Sequence, residues 1–144
     1  MQALAEMKKK RPDTEKALQL LQSAHNKGDA HASYALATWY HHGVYVEKDL
    51  KKAVSLAKAA VARESIPEAF FNLAVSYERG EGIVKSESKA YELYLKAAIW
   101  GDEQAFYEVG RCLFHGIGTN QDKRLAKAWL ERAKFLKKKQ NVNQ

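Results

Sequence analysis

This chain of 144 residues has one cysteine, two prolines and no long apolar run. Because Cys112 has no second cysteine to pair with, the chain cannot form an internal disulfide or a thiolate cluster for zinc. Charged residues interrupt every apolar stretch well before the roughly 20 residues that a membrane-spanning helix needs. Valine and isoleucine are sparse, whereas Ala, Leu, Lys and Glu are abundant and favour helices. The composition therefore predicts an all-α domain without a transmembrane segment.

The N-terminal sequence also lacks the pattern of a secretory signal peptide. It reads Met-Gln-Ala-Leu-Ala-Glu-Met before a basic run begins at Lys8, whereas a signal peptide places its basic residues first. The single cysteine fits a reducing compartment. Together these features predict a cytoplasmic protein, although a fragment of an exported protein would have the same sequence.

The formal net charge of +7 is the first candidate for a function. It is concentrated at the two ends, because residues 1–11 contribute +3 and residues 134–144 contribute +4, while the segment between them holds 16 basic and 16 acidic residues. A nucleic-acid-binding surface needs basic residues along the folded body of the protein. The preferred interpretation is that the basic residues solvate the chain ends, so nucleic acid is not the expected partner.

A repeat of 36 or 37 residues runs through the sequence. Its first half carries small and apolar residues at fixed positions and closes with a glycine, and its second half carries a further set of alanines and apolar residues. The first halves align as Ala32, Leu36, Ala37, Tyr40 and Gly43; as Ala69, Leu73, Ala74, Tyr77 and Gly80; and as Ala105, Val109, Gly110, Leu113 and Gly116. The second halves align as Ala53, Leu56 and Ala60; Ala90, Leu93 and Ala97; Ala126, Trp129 and Ala133; and, upstream, Ala17, Leu20 and Ala24. Three full units therefore follow a half unit.

Each unit is predicted to contain two helices joined by a turn. In the first half, apolar residues recur at steps of three and four, which is the spacing of one buried stripe on a helix. The glycine that follows accepts the left-handed backbone conformation and so ends the helix at low cost. Because one helix pair cannot bury its stripe alone, the units must stack.

Short polar side chains stand where the helices should begin, and their oxygens can accept the free amide hydrogens of a first turn. The second helices are predicted to follow the capping residues Asp13, Asp49, Ser86 and Asp122. Asp29 and Asp102 are predicted to cap first helices in the same way. Pro67 suits a first helical position, where its missing N–H costs nothing.

The second unit combines these features in one motif. It contains Asn72, the turn Gly80-Glu81-Gly82, the pair Lys89-Ala90 and the closing run Lys96-Ala97-Ala98. This pattern resembles the Sel-one-like repeat (SLR) family, whose members are related to the tetratricopeptide repeats. The third unit retains Gly116-Ile117-Gly118 and Asp122, whereas the first has Tyr45 in place of the second glycine, which leaves the conformation of its loop open.

The resemblance covers residues 13 to about 137 and implies one solenoid domain, a right-handed α-α superhelix of three helix-pair repeats preceded by a half repeat. It also implies that the concave face holds protein partners, as in adaptors, secretion-linked factors, inhibitors and immunity proteins. The predicted divisions are an N-terminal cap or truncated helix (1–12), the half repeat (13–28), the three repeats (29–64, 65–101 and 102–137) and a polar tail (138–144).

Helix geometry indicates which residues that face would present. At roughly 100° per residue, positions two and five residues on either side of the repeated Leu or Val lie opposite the packing stripe. The predicted partner-binding residues are His31, Tyr34, Thr38 and His41 in the first unit, Glu68, Phe71, Val75 and Glu78 in the second, and Gln104, Tyr107, Arg111 and Phe114 in the third.

Tyr34, Phe71 and Tyr107 form an aromatic ladder across the three units. Rigid aromatic side chains are common at the centres of protein interfaces. The ladder either grips a partner segment or packs between neighbouring first helices. The preferred candidates for partner-specific contacts are Thr38, Val75, Arg111 and Phe114.

No catalytic, metal or cofactor site is predicted. His31 and His41 are ten residues apart on one helix, a separation of roughly 15 Å, and His41 and His42 diverge. The Gly-x-Gly turns lack the preceding strand and the Gly-Lys-Ser or Gly-Lys-Thr of a phosphate-binding loop. Cys112 lies in the middle of a helix with no base nearby in sequence, so a small buried thiol is expected.

The sequence thus predicts a non-enzymatic protein-protein interaction module, which acts as an adaptor, a scaffold, or an inhibitor or immunity-type binder. Its expected partner is another protein, without a small-molecule substrate, and the chain is expected to be a monomer or a weak homodimer. Two alternatives stay open: a nucleic-acid or anionic-surface binder that uses the basic termini, and a regulatory subunit of an enzyme.

Overall fold

The computed structural model describes residues 12–142, and within that range the chain forms seven helices and no strand. The helices are α1 (Pro12–Asn26), α2 (Ala30–His42), α3 (Leu50–Arg63), α4 (Pro67–Arg79), α5 (Glu87–Ile99), α6 (Glu103–His115) and α7 (Lys123–Val142). The predicted N-terminal cap lies outside the described residues except for Pro12. Helix α7 extends into residues 138–142 of the predicted polar tail.

The helices pair as the repeat predicts. Helix α1 is the half unit, and the three full units are the pairs α2–α3, α4–α5 and α6–α7, which have the most extensive helix contacts in the structure. Helix α3 packs against α4 and α5 packs against α6, so each unit is joined to the next. The predicted all-α helical-repeat superhelix is confirmed.

Five of the predicted helix caps are confirmed. The amide nitrogens of Ala32 and Ala105 each donate to an aspartate Oδ1, of Asp29 and Asp102 respectively, at 3.1 Å. Asp49, Ser86 and Asp122 cap the second helices, with N–H donors at 3.0, 3.3 and 2.9 Å. These bonds satisfy amides that would otherwise lack a partner.

The prediction for Asp13 is wrong. Helix α1 begins at Pro12, so Asp13 lies inside the first turn and does not precede it. A residue inside the helix cannot supply the cap that precedes it. The Asp13 carboxylate still complements the positive end of the helix dipole.

The loops that follow the first helices share one backbone conformation. The helix-ending glycines Gly43, Gly80 and Gly116 are left-handed, with φ of 68°, 69° and 71°. In the second unit, Gly82 follows Gly80 by two residues and is also left-handed. A Cβ on Gly82 would overlap the carbonyl group of Leu50 at the start of α3. Glycine therefore allows this loop to approach the second helix of the preceding unit.

Tyr45 settles the loop conformation that the sequence left open. It takes the place of the second glycine yet has φ of 63°, so the first loop follows the same path as the others. This conformation is unfavourable for a residue with a Cβ. The Tyr45 ring packs edge-on against Trp39, with centroids 5.1 Å apart, and this contact helps to hold it.

Candidate protein-binding face

The twelve predicted partner-binding residues lie on the first helices α2, α4 and α6, and none of them is buried. Nine of them line three adjoining surface depressions: Tyr34, Thr38, His41, Phe71, Val75, Glu78, Gln104, Tyr107 and Arg111. His31 lies in another depression beside Gly28 and Glu64, and its Nε2 is 3.0 Å from a carboxylate oxygen of Glu64. We call the surface formed by the nine residues the binding face.

A polar cluster joins the second unit to the third. The guanidinium group of Arg111 on α6 donates to both carboxylate oxygens of Glu78 on α4, at 2.7 and 2.9 Å. Its Nε also donates to Glu108 at 2.9 Å, and the Tyr94 hydroxyl, from α5, donates to Glu78 at 2.8 Å. We call this set of four residues the clamp. Arg111, which was predicted to contact a partner, therefore has its main hydrogen-bond donors occupied within the chain.

The charges of the clamp are stable near neutral pH. Partial burial alone would raise the pKa of Glu78, but hydrogen bonds from Arg111 and Tyr94 outweigh it and hold that pKa below its ordinary value. The bond to Glu78 raises the pKa of Arg111, and burial followed by the bond to Glu78 raises the pKa of Tyr94. The clamp thus keeps a carboxylate, a guanidinium and a neutral phenol in contact, which is a favourable arrangement for a partly buried ion pair.

The aromatic ladder contributes to packing between helices. The Tyr34 hydroxyl accepts a hydrogen bond from the side-chain amide of Asn72 on the next first helix, at 3.4 Å. The Phe71 ring packs edge-on against Tyr94, with centroids 5.4 Å apart. Tyr107, in the last unit, is 53% exposed. Two rungs of the ladder are thus held within the solenoid, and the third is free to contact another molecule.

The contact between the first and second units contains a cavity where the next contact contains the clamp. The cavity has a volume of about 210 Å³ and is lined by Tyr34, Ala37, Thr38, His41, His42, Ala53, Val54, Ala57, Asn72, Val75 and Ser76. In the register of the repeat, Ala57 on α3 corresponds to Tyr94 on α5, and His41 corresponds to Glu78. We call the contact between units one and two the first joint and the contact between units two and three the second joint.

Sequence reasoning considered only the first helices and so missed the second-helix residues that reach the binding face. Tyr94 and Ala57 each follow a repeated leucine directly, so the aligned repeats did contain a signal. That signal is the change in side-chain size at one position, from alanine to tyrosine. Its meaning depends on how closely the two units approach, which the alignment does not give.

One of the three depressions lies at the C-terminal end of the binding face and has a volume of about 790 Å³. Tyr107, Leu130 and Leu136 are among its lining residues, together with Lys134 and Lys137 of α7. In the same region Glu103 and Glu108 contribute carboxylates. This end of the face therefore combines apolar surface with charges of both signs.

Three further predictions concern single residues and the membrane. Cys112 is fully buried, as expected, and burial raises the pKa of its thiol to about 11, so the thiol is not a ready nucleophile. Within residues 12–142, His, Cys, Asp and Glu side chains form no group of three or more that could hold a metal ion. In the same part of the chain, no helix combines the length and the apolar character that crossing a bilayer requires.

Stacked helix pairs with a depressed face on their first helices define a helical-repeat protein. The family model of the Sel1 repeat matches residues 7–29, 30–65, 67–99 and 104–134. This chain belongs to the Sel1 repeat family, as its motifs predicted. Sel1 repeat proteins are generally protein-interaction modules, and the repeat itself is a non-catalytic scaffold.

Known proteins and structures share both the sequence pattern and the fold. The Saccharomyces cerevisiae protein named Protein SHC1 is 32% identical over 106 residues, which are 71% of this chain and 20% of that protein. The chain thus spans about a fifth of the length of the curated relatives it matches. A Sel1 repeat protein from Oxalobacter formigenes superposes with a TM-score of 0.73 and 32% identity, over 83% of this chain and 89% of the other.

Two further structures extend this comparison. The antigen c5321 of uropathogenic Escherichia coli, which displays an SLR fold, superposes over 92% of this chain and 33% of its own, with a TM-score of 0.78 and 24% identity. Cysteine-rich protein B of Helicobacter pylori superposes over 63% of this chain and 68% of its own, with a TM-score of 0.59 and 30% identity. This chain has one cysteine, so no disulfide within it can link its repeats.

Proposed function

We propose that this protein holds a segment of a partner protein along the binding face, as an adaptor, a scaffold or an inhibitor. The observation that supports this proposal is the continuity of the three depressions, which follow one another across all three units and share lining residues such as Phe71 and Val75. A continuous furrow of this kind suits an extended segment or a helix, which would contact several units at once.

The chemistry of the face favours a protein over a nucleic acid. Exposed or half-buried aromatic residues, among them Tyr107 and Phe71, provide rigid apolar contact area. Carboxylates such as Glu81, Glu87 and Glu103 line the same depressions as the basic side chains, so the face does not offer a phosphate backbone a continuous basic surface. A peptide can instead match alternating apolar and charged positions.

Affinity capture from an extract of the source organism tests this proposal. The test variant combines Val75→Ala and Tyr107→Ala, which remove apolar surface from the binding face, with Phe114→Ala, a predicted contact on α6 that lines none of the three depressions. All three changes leave the clamp intact. We expect this variant to lose a protein that the unaltered chain retains, since truncating a few central apolar residues removes most of the binding energy in many interfaces.

A matched control variant carries three changes of similar size outside the face. Val84, Ile99 and Phe135 are 87%, 67% and 55% exposed and none lines the three depressions, so each can be changed to alanine. Circular dichroism should show that both variants keep their helical content. Equal retention of every captured protein by the two variants would contradict the proposal.

A further inference from the structure

The two joints of the solenoid differ at the second-helix position that Ala57 and Tyr94 occupy. In the second joint the Tyr94 ring, on α5, packs edge-on against the Phe71 ring. The Tyr94 hydroxyl group donates a hydrogen bond to Glu78 at 2.8 Å. In the first joint the same position is Ala57, and the space is a cavity of about 210 Å³. The cavity is thus lined by an alanine at the position that a tyrosine occupies in the second joint.

Both contacts that hold the Tyr94 ring have counterparts around the cavity. Tyr34 occupies the position of Phe71, so an aromatic ring is present to receive a second ring edge-on. His41 occupies the position of Glu78, so a hydrogen-bonding group is present where the hydroxyl would end. Both residues line the cavity.

His41 can accept a hydrogen bond from a hydroxyl group. Burial and the neighbouring His42 hold the pKa of His41 below its ordinary value of 6.5, so its ring is neutral at pH 7 and one ring nitrogen is an acceptor. The Glu81 carboxylate is 3.9 Å from His41 Nε2, which is too far for a strong hydrogen bond.

The cavity is accessible from the binding face. Thr38 and Val75, which lie half-buried on that face, line it together with the buried Ala53 and Ala57 of α3. The cavity thus extends from the face down to the second helix. An aromatic side chain that enters from the binding face would place its ring against these two alanines.

We propose that the cavity in the first joint binds one aromatic side chain of the partner protein, tyrosine in preference to phenylalanine, in the position that Tyr94 occupies in the second joint. This inference rests on the proposed function, because it assigns one contact of the partner to one site on the binding face. It also defines the chemistry of the partner segment, which must present an exposed tyrosine.

The probe for this site is p-cresol, which is the tyrosine side chain without its backbone. In nuclear magnetic resonance titrations, p-cresol should produce saturable shifts at Thr38, His41 and Val75. Toluene, which lacks the hydroxyl group, should bind about 2- to 10-fold more weakly, as expected for the loss of one hydrogen bond. The absence of saturable shifts at these three residues would overturn the inference.

Two variants and a control sharpen the titration. Ala57→Tyr supplies the missing ring from within the chain and should abolish the shifts. Ser55→Tyr adds the same side chain to an exposed position of the same helix and should leave them unchanged. His41→Phe keeps the ring but removes the acceptor, so the preference for p-cresol over toluene should disappear. Undiminished p-cresol binding in a folded Ala57→Tyr variant would exclude the cavity as the site.

Partner capture separates this inference from the proposed function. Once a partner is identified, Ala57→Tyr should release it and Ser55→Tyr should retain it. Retention by Ala57→Tyr, with release by the triple variant of Val75, Tyr107 and Phe114, would overturn the cavity assignment but leave the proposed function intact. Retention by the triple variant, with p-cresol still binding, would contradict the proposed function while the aromatic site remained.

Discussion

The first and second joints are formed by the same repeat yet are filled in opposite ways. The second joint is occupied by the clamp, in which Tyr94, Glu78, Glu108 and Arg111 bond to one another across three helices. The first joint has Ala57 and His41 at two of those positions and contains a cavity. The comparison shows that the repeat motif specifies how units stack, while residues outside the motif decide which side chains bond to one another across a joint.

Of the changes that test this comparison, removing the Tyr94 side chain should have the largest effect on the free energy of unfolding. Tyr94→Ala would leave the second joint with an open cavity like that of the first, and it would also remove a hydrogen bond to Glu78. We expect the free energy of unfolding in urea to fall by about 3 to 5 kcal/mol, the usual cost of truncating a buried aromatic residue.

The same variant tests whether the two joints are interchangeable. Addition of p-cresol should restore part of the lost stability of Tyr94→Ala, because the ligand would replace the missing ring. Tyr94→Phe serves as the control, since it keeps the ring and removes only the hydroxyl group. A loss below about 1 kcal/mol in Tyr94→Ala would show that the second joint is not held by this ring.

Arg111→Met should have the next largest effect. The change keeps much of the side-chain length but leaves Glu78 and Glu108 as neighbouring carboxylates without their shared cation. Because the Arg111 and Glu78 side chains are 25% and 21% exposed, solvent screens part of the interaction, and we expect a loss of about 1 to 2 kcal/mol in urea unfolding. A double-mutant cycle with Glu78→Gln should show coupling between the two residues, and additive effects would contradict the clamp.

Ala57→Tyr should have a smaller effect, and in the opposite direction. A ring that fills the cavity should raise the free energy of unfolding by about 0.5 to 1 kcal/mol, as cavity-filling substitutions commonly do. Adding His41→Glu to this variant would recreate the Tyr94–Glu78 pair in the first joint. A marked loss of thermal stability in Ala57→Tyr would mean that the two joints differ in shape as well as in content.

The pH dependence of stability should show the smallest effect. The pKa of Glu78 is lower in the folded chain than its ordinary value of 4.5, so its contribution is fully present above that pH and is lost as the pH falls through the folded pKa. Glu78→Gln should therefore flatten the acid side of the stability curve by less than about 1 kcal/mol. His41→Phe, in the first joint, provides a control, because it leaves the Glu78 carboxylate and its hydrogen bonds in place.

Most of the fold could be predicted because the signals for it are local. The caps at Asp49 and Asp102 and the turn at Gly80 depend on residues within one helical turn of each other. Among the predicted caps in the described residues, such a signal was misleading at Asp13, which lies within the helix and not before it. The left-handed Tyr45 was ambiguous, because its conformation depends on the loop as a whole and on the contact with Trp39.

The candidate site could be predicted only in part. Helix periodicity identified which side chains reach the surface, since that depends on angular position around one helix. It could not show that Arg111 is bound to Glu78, because the two residues are 33 positions apart and meet only when the second and third units stack. Nor could it show that the ladder residue Phe71 contacts Tyr94 on α5.

By itself, the sequence determined the helix pairs, their caps, the order of the units and membership of the Sel1 repeat family, because these follow from spacing along the chain. Only the tertiary structure decided that a tyrosine ring and an ion pair occupy the second joint, whereas the first joint contains a cavity lined by Ala57 and His41. The Tyr94 ring reaches across its joint and the Ala57 methyl group does not, because neighbouring helices fix the distance between units. That distance is set by the packing of the whole stack.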